Sequence, residues 1–168
     1  GEAMDVCDAA GEAGAVDSWD ELKKADIYVV SAGKPRTADM TRQELYGFNA
    51  GVCEPIFRRM AELNPEAHAI VVTNPSDEIA GLGKKYLKNI ITSGSILDAN
   101  RARIVFGRPV GLAGTHSRRE LIGLTPAEEQ LASKYHGRAA EIISLKGCTQ
   151  WGVAAEICAL VEKIENKK

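Results

Sequence analysis

Arg36 and Arg42 stand six residues apart within SAGKPRTADMTRQELYGFN, residues 31–49 of the chain. An arginine's planar fork pairs bidentately with a carboxylate. Two of them, one in an irregular stretch and one at the start of a helix, can grip a small dianion from two sides. Further on, Asp98 and Arg101 share a helix face at i, i+3, Asn74 closes an apolar run, and His116 follows Gly114 and Thr115. A neutral imidazole, with an ordinary pKa near ~6.5, can take a proton at physiological pH. Each of these has a plainer rival. Arg36 and Arg42 can be solvated loop charges, His116 an ordinary loop histidine, Asp98 and Arg101 a surface ion pair of little worth, and Asn74 before Pro75 a simple turn signal.

These residues depend on the elements that hold them. DIYVVSA (26–32) reads as a strand, β-branched and aromatic at its centre, and its near-continuous apolarity predicts a parallel strand covered on both faces. A short helix is expected over 19–24. Thr41 and Glu44 form a capping box, and Leu45, Phe48, Val52, Ile56, Met60 and Leu63 follow at helical spacing. Pro55 removes a backbone donor inside that helix and predicts a kink. AIVVT (69–73) is the next strand, followed by a helix over 76–87, a short strand over 89–92 and a helix from Ser95 carrying Asp98 and Arg101. Residues 109–114 are a weak strand candidate because of their glycines. Thr125, Pro126 and Glu128 open a further helix with Leu131, Tyr135, Ile142 and Leu145 as its apolar set, and the last helix, from about Trp151 to Asn166, places Val153, Ile157, Leu160 and Ile164 on one stripe. The alternation predicts an α/β fold, a partial doubly wound parallel sheet followed by a largely helical C-terminal part, with ligands beyond the carboxyl ends of the strands. Its division is expected near residue 108, an incomplete dinucleotide-binding-type part before it and a mainly helical substrate part after it.

Composition narrows the partners. A chain of 168 residues with net charge −2 and interspersed signs offers no basic stripe for nucleic acid and no polybasic membrane patch. No apolar run approaches the roughly 18 residues of a membrane span, and a cytoplasmic location is expected. Cys7, Cys53, Cys148 and Cys158 form no CxxC pair, which favours buried thiols in a reducing compartment over a metal site.

Six pieces, ADIYVVSAGKPR, MTRQEL followed by Asn49, VVTNP, SGSILDANR, GTH and LKGCTQWG, occur in an order that resembles the lactate and malate dehydrogenases, in their archaeal-type branch. The resemblance implies a nicotinamide cofactor, NAD or NADP, a small dicarboxylate substrate and a homo-oligomer. It implies that His116 accepts the substrate hydroxyl proton and that Asp98 holds its imidazole. Arg101 would clamp one carboxylate and Arg42 would close over the substrate. Arg36 would meet the second carboxylate, which points to malate and oxaloacetate. Asn49 and Asn74 resemble the family's substrate and nicotinamide contacts, Thr149 the pocket wall and Gly33 the backbone approach to the cofactor; Thr149 can equally cap the last helix. Three arginines would neutralise a dianion in a closed pocket.

The chain contains no GxGxxG, so the family's glycine-rich turn would precede Gly1, and its antiparallel strands would follow Lys168. After the histidine, SRRELIGLT stands where the family usually has Gly and Asp. Two functions are expected from these observations: a malate dehydrogenase or its catalytic core, and a non-catalytic remnant that binds a dicarboxylate or joins a full-length homologue.

Overall fold

A computed structural model describes residues 14, 18, 21, 24–37 and 40–166. Most of the short helix expected over 19–24 lies outside the described residues, as does Cys7. Three strands, β1 (Ile27–Val30), β2 (His68–Val71) and β3 (Asn89–Thr92), form a parallel sheet in the order β1-β2-β3. Helix α1 (Arg42–Leu63) joins the first two strands, and α2 (Ser76–Gly83) joins the second to the third. The register sets Val30 opposite Val71 and Val71 opposite Thr92. Because side chains alternate along a strand, Tyr28, Val30, Ala69 and Val71 share one face, covered by Cys53, Phe57 and Met60 of α1 and Ile79 and Ala80 of α2. Fully burying a side chain of the size of Phe57 or Ile79 contributes about 1.5–3 kcal/mol. The opposite face presents Ile70, with Ile27 and Ile91 beside it, to Leu160 and Ile164 of the last helix. Helices therefore cover both faces. The strand β1 departs from the expected full cover: it forms one edge of the sheet, and Val29 stays 44% exposed.

Helix α1 begins with the expected capping box, Thr41 accepting from the Glu44 amide and Glu44 from the Thr41 amide, and it is continuous through Pro55. The Thr41 hydrogen bonds hold the Glu44 carboxyl below its usual range. At its far end the Asn64 side chain donates to the Ala25 carbonyl at 2.9 Å, tying the helix to the approach to β1. Helix α2 stops earlier than expected, at Gly83.

The remainder comprises α3 (Ser95–Phe106), an antiparallel hairpin of β4 (Gly111–Ala113) and β5 (Glu120–Ile122), then α4 (Pro126–Glu129), α5 (Ala132–Lys146) and α6 (Trp151–Glu165). The weak strand candidate is real but does not extend the parallel sheet; its partner β5 falls in SRRELIGLT. Gly114, at φ +76, turns the chain back, and a Cβ there would lie 2.2 Å from the Arg118 carbonyl oxygen. The expected single helix after Thr125 is two, broken at Gln130 and Leu131. Its apolar set is not one buried stripe: Tyr135 is buried against Phe106, whereas Leu131 is 38% and Leu145 80% exposed. Arg108 pairs with Glu128 at 2.7 Å and holds that carboxyl at about 2.

Candidate active site

The carboxyl ends of β1 and β2 open into a cleft of about 570 Å³, where a parallel sheet places its ligands. Ser31, Gly33 and Arg36 line it from the segment after β1, Arg42 from the first turn of α1, Thr73 and Asn74 from the turn after β2, and His116 and Thr149 from the C-terminal part. The structure thus brings together Gly33, Arg36, Arg42, Asn74, His116 and Thr149. It does not bring Asn49 or Arg101 to that surface.

Asn49 is fully buried. Its Nδ2 donates to the carbonyls of Lys34 at 3.1 Å and Asn74 at 2.6 Å, and its Oδ1 accepts from the Lys34 amide at 2.7 Å. Those bonds use the side chain on the protein's own backbone, where it shapes the two turns that form the cleft. Gly33 completes the arrangement. At φ +148 a Cβ there would sit 2.7 Å from Asn49 Oδ1 and 2.9 Å from Thr73 Cγ2. The bond between Asn74 and Pro75 is cis.

His116 begins a short 3-10 turn between β4 and β5. Its Nδ1 lies 2.8 Å from Asp98 Oδ2, a geometry that assigns the Nδ1 proton to the carboxylate contact and, in a neutral ring, the acceptor role to Nε2. Asp98 is 4% exposed. The same Oδ2 accepts from Arg119 Nε at 3.0 Å, while Arg119 also donates to the Gly114 carbonyl at 2.6 Å and to Ser95 Oγ at 3.2 Å. Arg101 stands 3.8 Å from Asp98 Oδ1, and its buried Nε has no hydrogen-bond partner. Arg101 faces a second, largely apolar cavity of about 290 Å³ that shares Thr149 with the cleft. Of the three arginines expected to meet a dianion, Arg36 and Arg42 line the cleft, whereas Arg101 lines the second cavity.

Arg42 is already engaged. It donates to Glu78 of α2 through Nε at 3.0 Å and through Nη2 at 2.7 and 2.9 Å. Arg36 is exposed and donates to the Met40 carbonyl at 3.3 Å. Lys34, on the cleft wall, lies over the Phe48 ring at 5.7 Å.

Glu78, Arg119, Glu156 and Gly94 were not among the expected site residues. Glu156 left a trace: it falls three residues after Val153 and four before Leu160, an acid inside the apolar stripe of α6. The structure places it 3% exposed. Arg119 lay in the stretch that departs from the family pattern, and its partner is 21 residues away. The cysteines split: Cys53 is buried, with its thiol pushed up by desolvation, while Cys148 and Cys158 are exposed. Among the described residues no group of three or more His, Cys, Asp or Glu is placed to hold a metal, and no helix is long and apolar enough to cross a membrane.

Comparison with known proteins follows the same outline. A family model for the NAD-binding domain of lactate/malate dehydrogenase matches residues 1–94, more than half of the chain. Malate dehydrogenase of Sulfolobus acidocaldarius is 28% identical over 172 residues, covering 86% of this chain and 55% of that protein. The Halobacterium salinarum malate dehydrogenase is 29% identical over 168 residues, covering 84% and 55%. The structure of malate dehydrogenase from Archaeoglobus fulgidus in complex with NADH aligns with a TM-score of 0.82 at 28% identity, over 98% of this chain and 64% of that one. The chain spans about half the length of these curated relatives. It belongs to the lactate/malate dehydrogenase family, and residues 1–94 fall in the region of that family's NAD-binding domain.

Proposed function

We propose that this chain carries the proton-transfer and substrate-gripping residues for interconversion of malate and oxaloacetate. The observation that carries the reading is the 2.8 Å contact of His116 with buried Asp98 at the edge of a cleft that also holds Arg36 and Arg42. With Nδ1 given to Asp98, Nε2 takes the proton from the substrate hydroxyl, and the carboxylate stabilises the imidazolium that forms. Arg42 grips one carboxylate beside the reacting carbon. Arg36 meets the other; a monoacid such as pyruvate leaves that guanidinium without its charged partner, a loss of about 1.5–3 kcal/mol.

The cleft suits the nicotinamide end of NAD. Gly33 leaves the end of β1 without a side chain, and Ser31, Val72 and Asn74 complete a wall of backbone and small groups beside His116. These residues would hold the ring, and bound NAD supplies the hydride acceptor that no side chain provides. Residues outside this wall would carry the pyrophosphate, for which the sequence has no GxGxxG.

The test is loss of NADH absorbance with oxaloacetate beside pyruvate, in the wild-type chain and in His116→Asn. Turnover that prefers oxaloacetate and vanishes in the variant supports the reading. Turnover that survives the substitution, or that treats pyruvate equally, overturns it. Oxaloacetate binding without turnover favours the dicarboxylate-binding alternative.

Arg42 must leave Glu78 to meet a substrate carboxylate. Both side chains are 40% exposed, and an exposed pair of this kind contributes about 0.2–1 kcal/mol. Glu78→Gln is therefore expected to lower the KM for oxaloacetate by roughly two- to five-fold with kcat little changed. A KM that stays the same would show that Arg42 does not exchange partners.

A further inference from the structure

We propose that Glu156 is a positioning residue for the His116–Asp98 pair, an inference that rests on the catalytic reading above. Glu156 lies on α6, buried, and its carboxylate is spent on another segment's backbone. Oε2 accepts from the Gly94 amide at 2.7 Å and Oε1 from the Ile96 amide at 2.9 Å. The first amides of a helix have no partner within it. At α3 the N-cap is Gly94, which has no side chain to supply one. Ser95, the next hydroxyl, is in contact with Arg119 instead. The cap of α3 is therefore imported from 62 residues away. Two charge-assisted hydrogen bonds and the positive end of the helix dipole compensate the buried charge. Among the described residues no Lys, Arg or His forms an ion pair with it.

Both amides lead directly to the site. Gly94 is the surface on which the imidazole lies: a Cβ there would sit 2.3 Å from His116 Cγ and 2.4 Å from Nδ1. The Gly94 carbonyl accepts from the Asp98 amide at 2.8 Å, so the first turn of α3 carries Asp98 at a height set by Gly94. One carboxylate fixes the shelf beneath the ring and the turn that bears its partner. Helix α6 is itself packed on the sheet, with Leu160 and Ile164 against Ile70. Glu156 thereby sets the His116–Asp98 pair relative to the sheet from which the other cleft wall rises. A misplacement of about 1 Å at such a pair can cost on the order of 10²-fold in rate.

The experiment compares wild type, Glu156→Gln and a destabilised control, Met60→Ala, which empties core space at the far end of α1. In Glu156→Gln one oxygen still accepts, but the amide NH₂ now faces a backbone donor. It is expected to lower kcat for oxaloacetate reduction roughly 10–100-fold, with KM within about two-fold. Wild type is expected to show a hydrogen-bonded His116 Nδ1–H proton resonance, which should shift or broaden in Glu156→Gln and stay in place in Met60→Ala; a wild type in which it is absent overturns the proposal. That resonance is observable whether or not the wild-type chain turns over, so failure of the catalytic reading is told apart from failure of this one. Glu156→Gln with an unmoved resonance overturns the proposal, as does a Met60→Ala variant that moves it equally.

Discussion

Asp98→Asn is expected to lower the unfolding free energy by about 3 kcal/mol and turnover of oxaloacetate by roughly 10²–10⁴-fold. Asp98 is 4% exposed and carries the only negative charge among His116, Arg119 and Arg101, the three groups paired with it. An asparagine of the same shape removes that charge and leaves two arginine side chains, each 12% exposed, without their counter-ion. Breaking a buried pair by removing one partner typically costs about 3–5 kcal/mol. The lower end applies because Arg119 keeps its bonds to the Gly114 carbonyl and Ser95. The kinetic loss has a separate source: an asparagine can present its amide NH₂ to Nδ1, which selects the wrong tautomer and strips Nε2 of its acceptor role. Urea denaturation and the NADH assay measure the two effects independently. A stability loss below about 1 kcal/mol would mean that solvent already screens this cluster.

Gly94→Ala should destabilise by about 2–5 kcal/mol, from two costs that add. At φ +111 an alanine occupies backbone space that L residues avoid, and its methyl carbon overlaps the His116 ring. The ring must move, and with it the 2.8 Å contact to Asp98. Activity should fall further than stability alone explains, since a folded fraction of the variant still carries a displaced imidazole. Gly47→Ala is the matched control. It sits exposed inside α1, a Cβ there meets nothing within 4 Å, and the substitution should stabilise by about 0.5–1 kcal/mol. Equal midpoints for Gly94→Ala and wild type in thermal melts would show that the loop before α3 relaxes freely around the methyl.

What the sequence disclosed and what it hid follow from the range over which each interaction acts. The bounds of α3 and β3 were legible because helix-forming and β-branched residues and the flanking glycines all act within a few positions. The capping boxes at Thr41 and Thr125 were legible for the same reason. The hairpin was not: a three-residue strand with glycines has no period to detect, and its partner is identified only by pairing across His116. Arg36, Arg42 and His116 stood out by type and spacing. Their company did not, because Glu78 reaches Arg42 across 36 residues and Glu156 reaches Gly94 across 62. At Asn49, expected as a ligand contact, the fold shows a brace between two turns. An asparagine offers the same donors and acceptor to a ligand or to backbone, so its type and spacing alone do not reveal the brace.

Asn49 bonds to backbone 15 residues upstream at Lys34 and 25 residues downstream at Asn74. The turns that bound the cleft are therefore unable to take their final shape while α1 is undocked, whatever their local sequences prefer. Forming the cleft requires two loop closures to be met together, so that one amide group can reach both turns at once. The Lys34 amide, held by that group, stays shut to solvent hydrogen exchange only while helix and sheet remain joined. The same side chain that shapes a binding surface thus records, in one protected proton, whether the chain around it has finished folding.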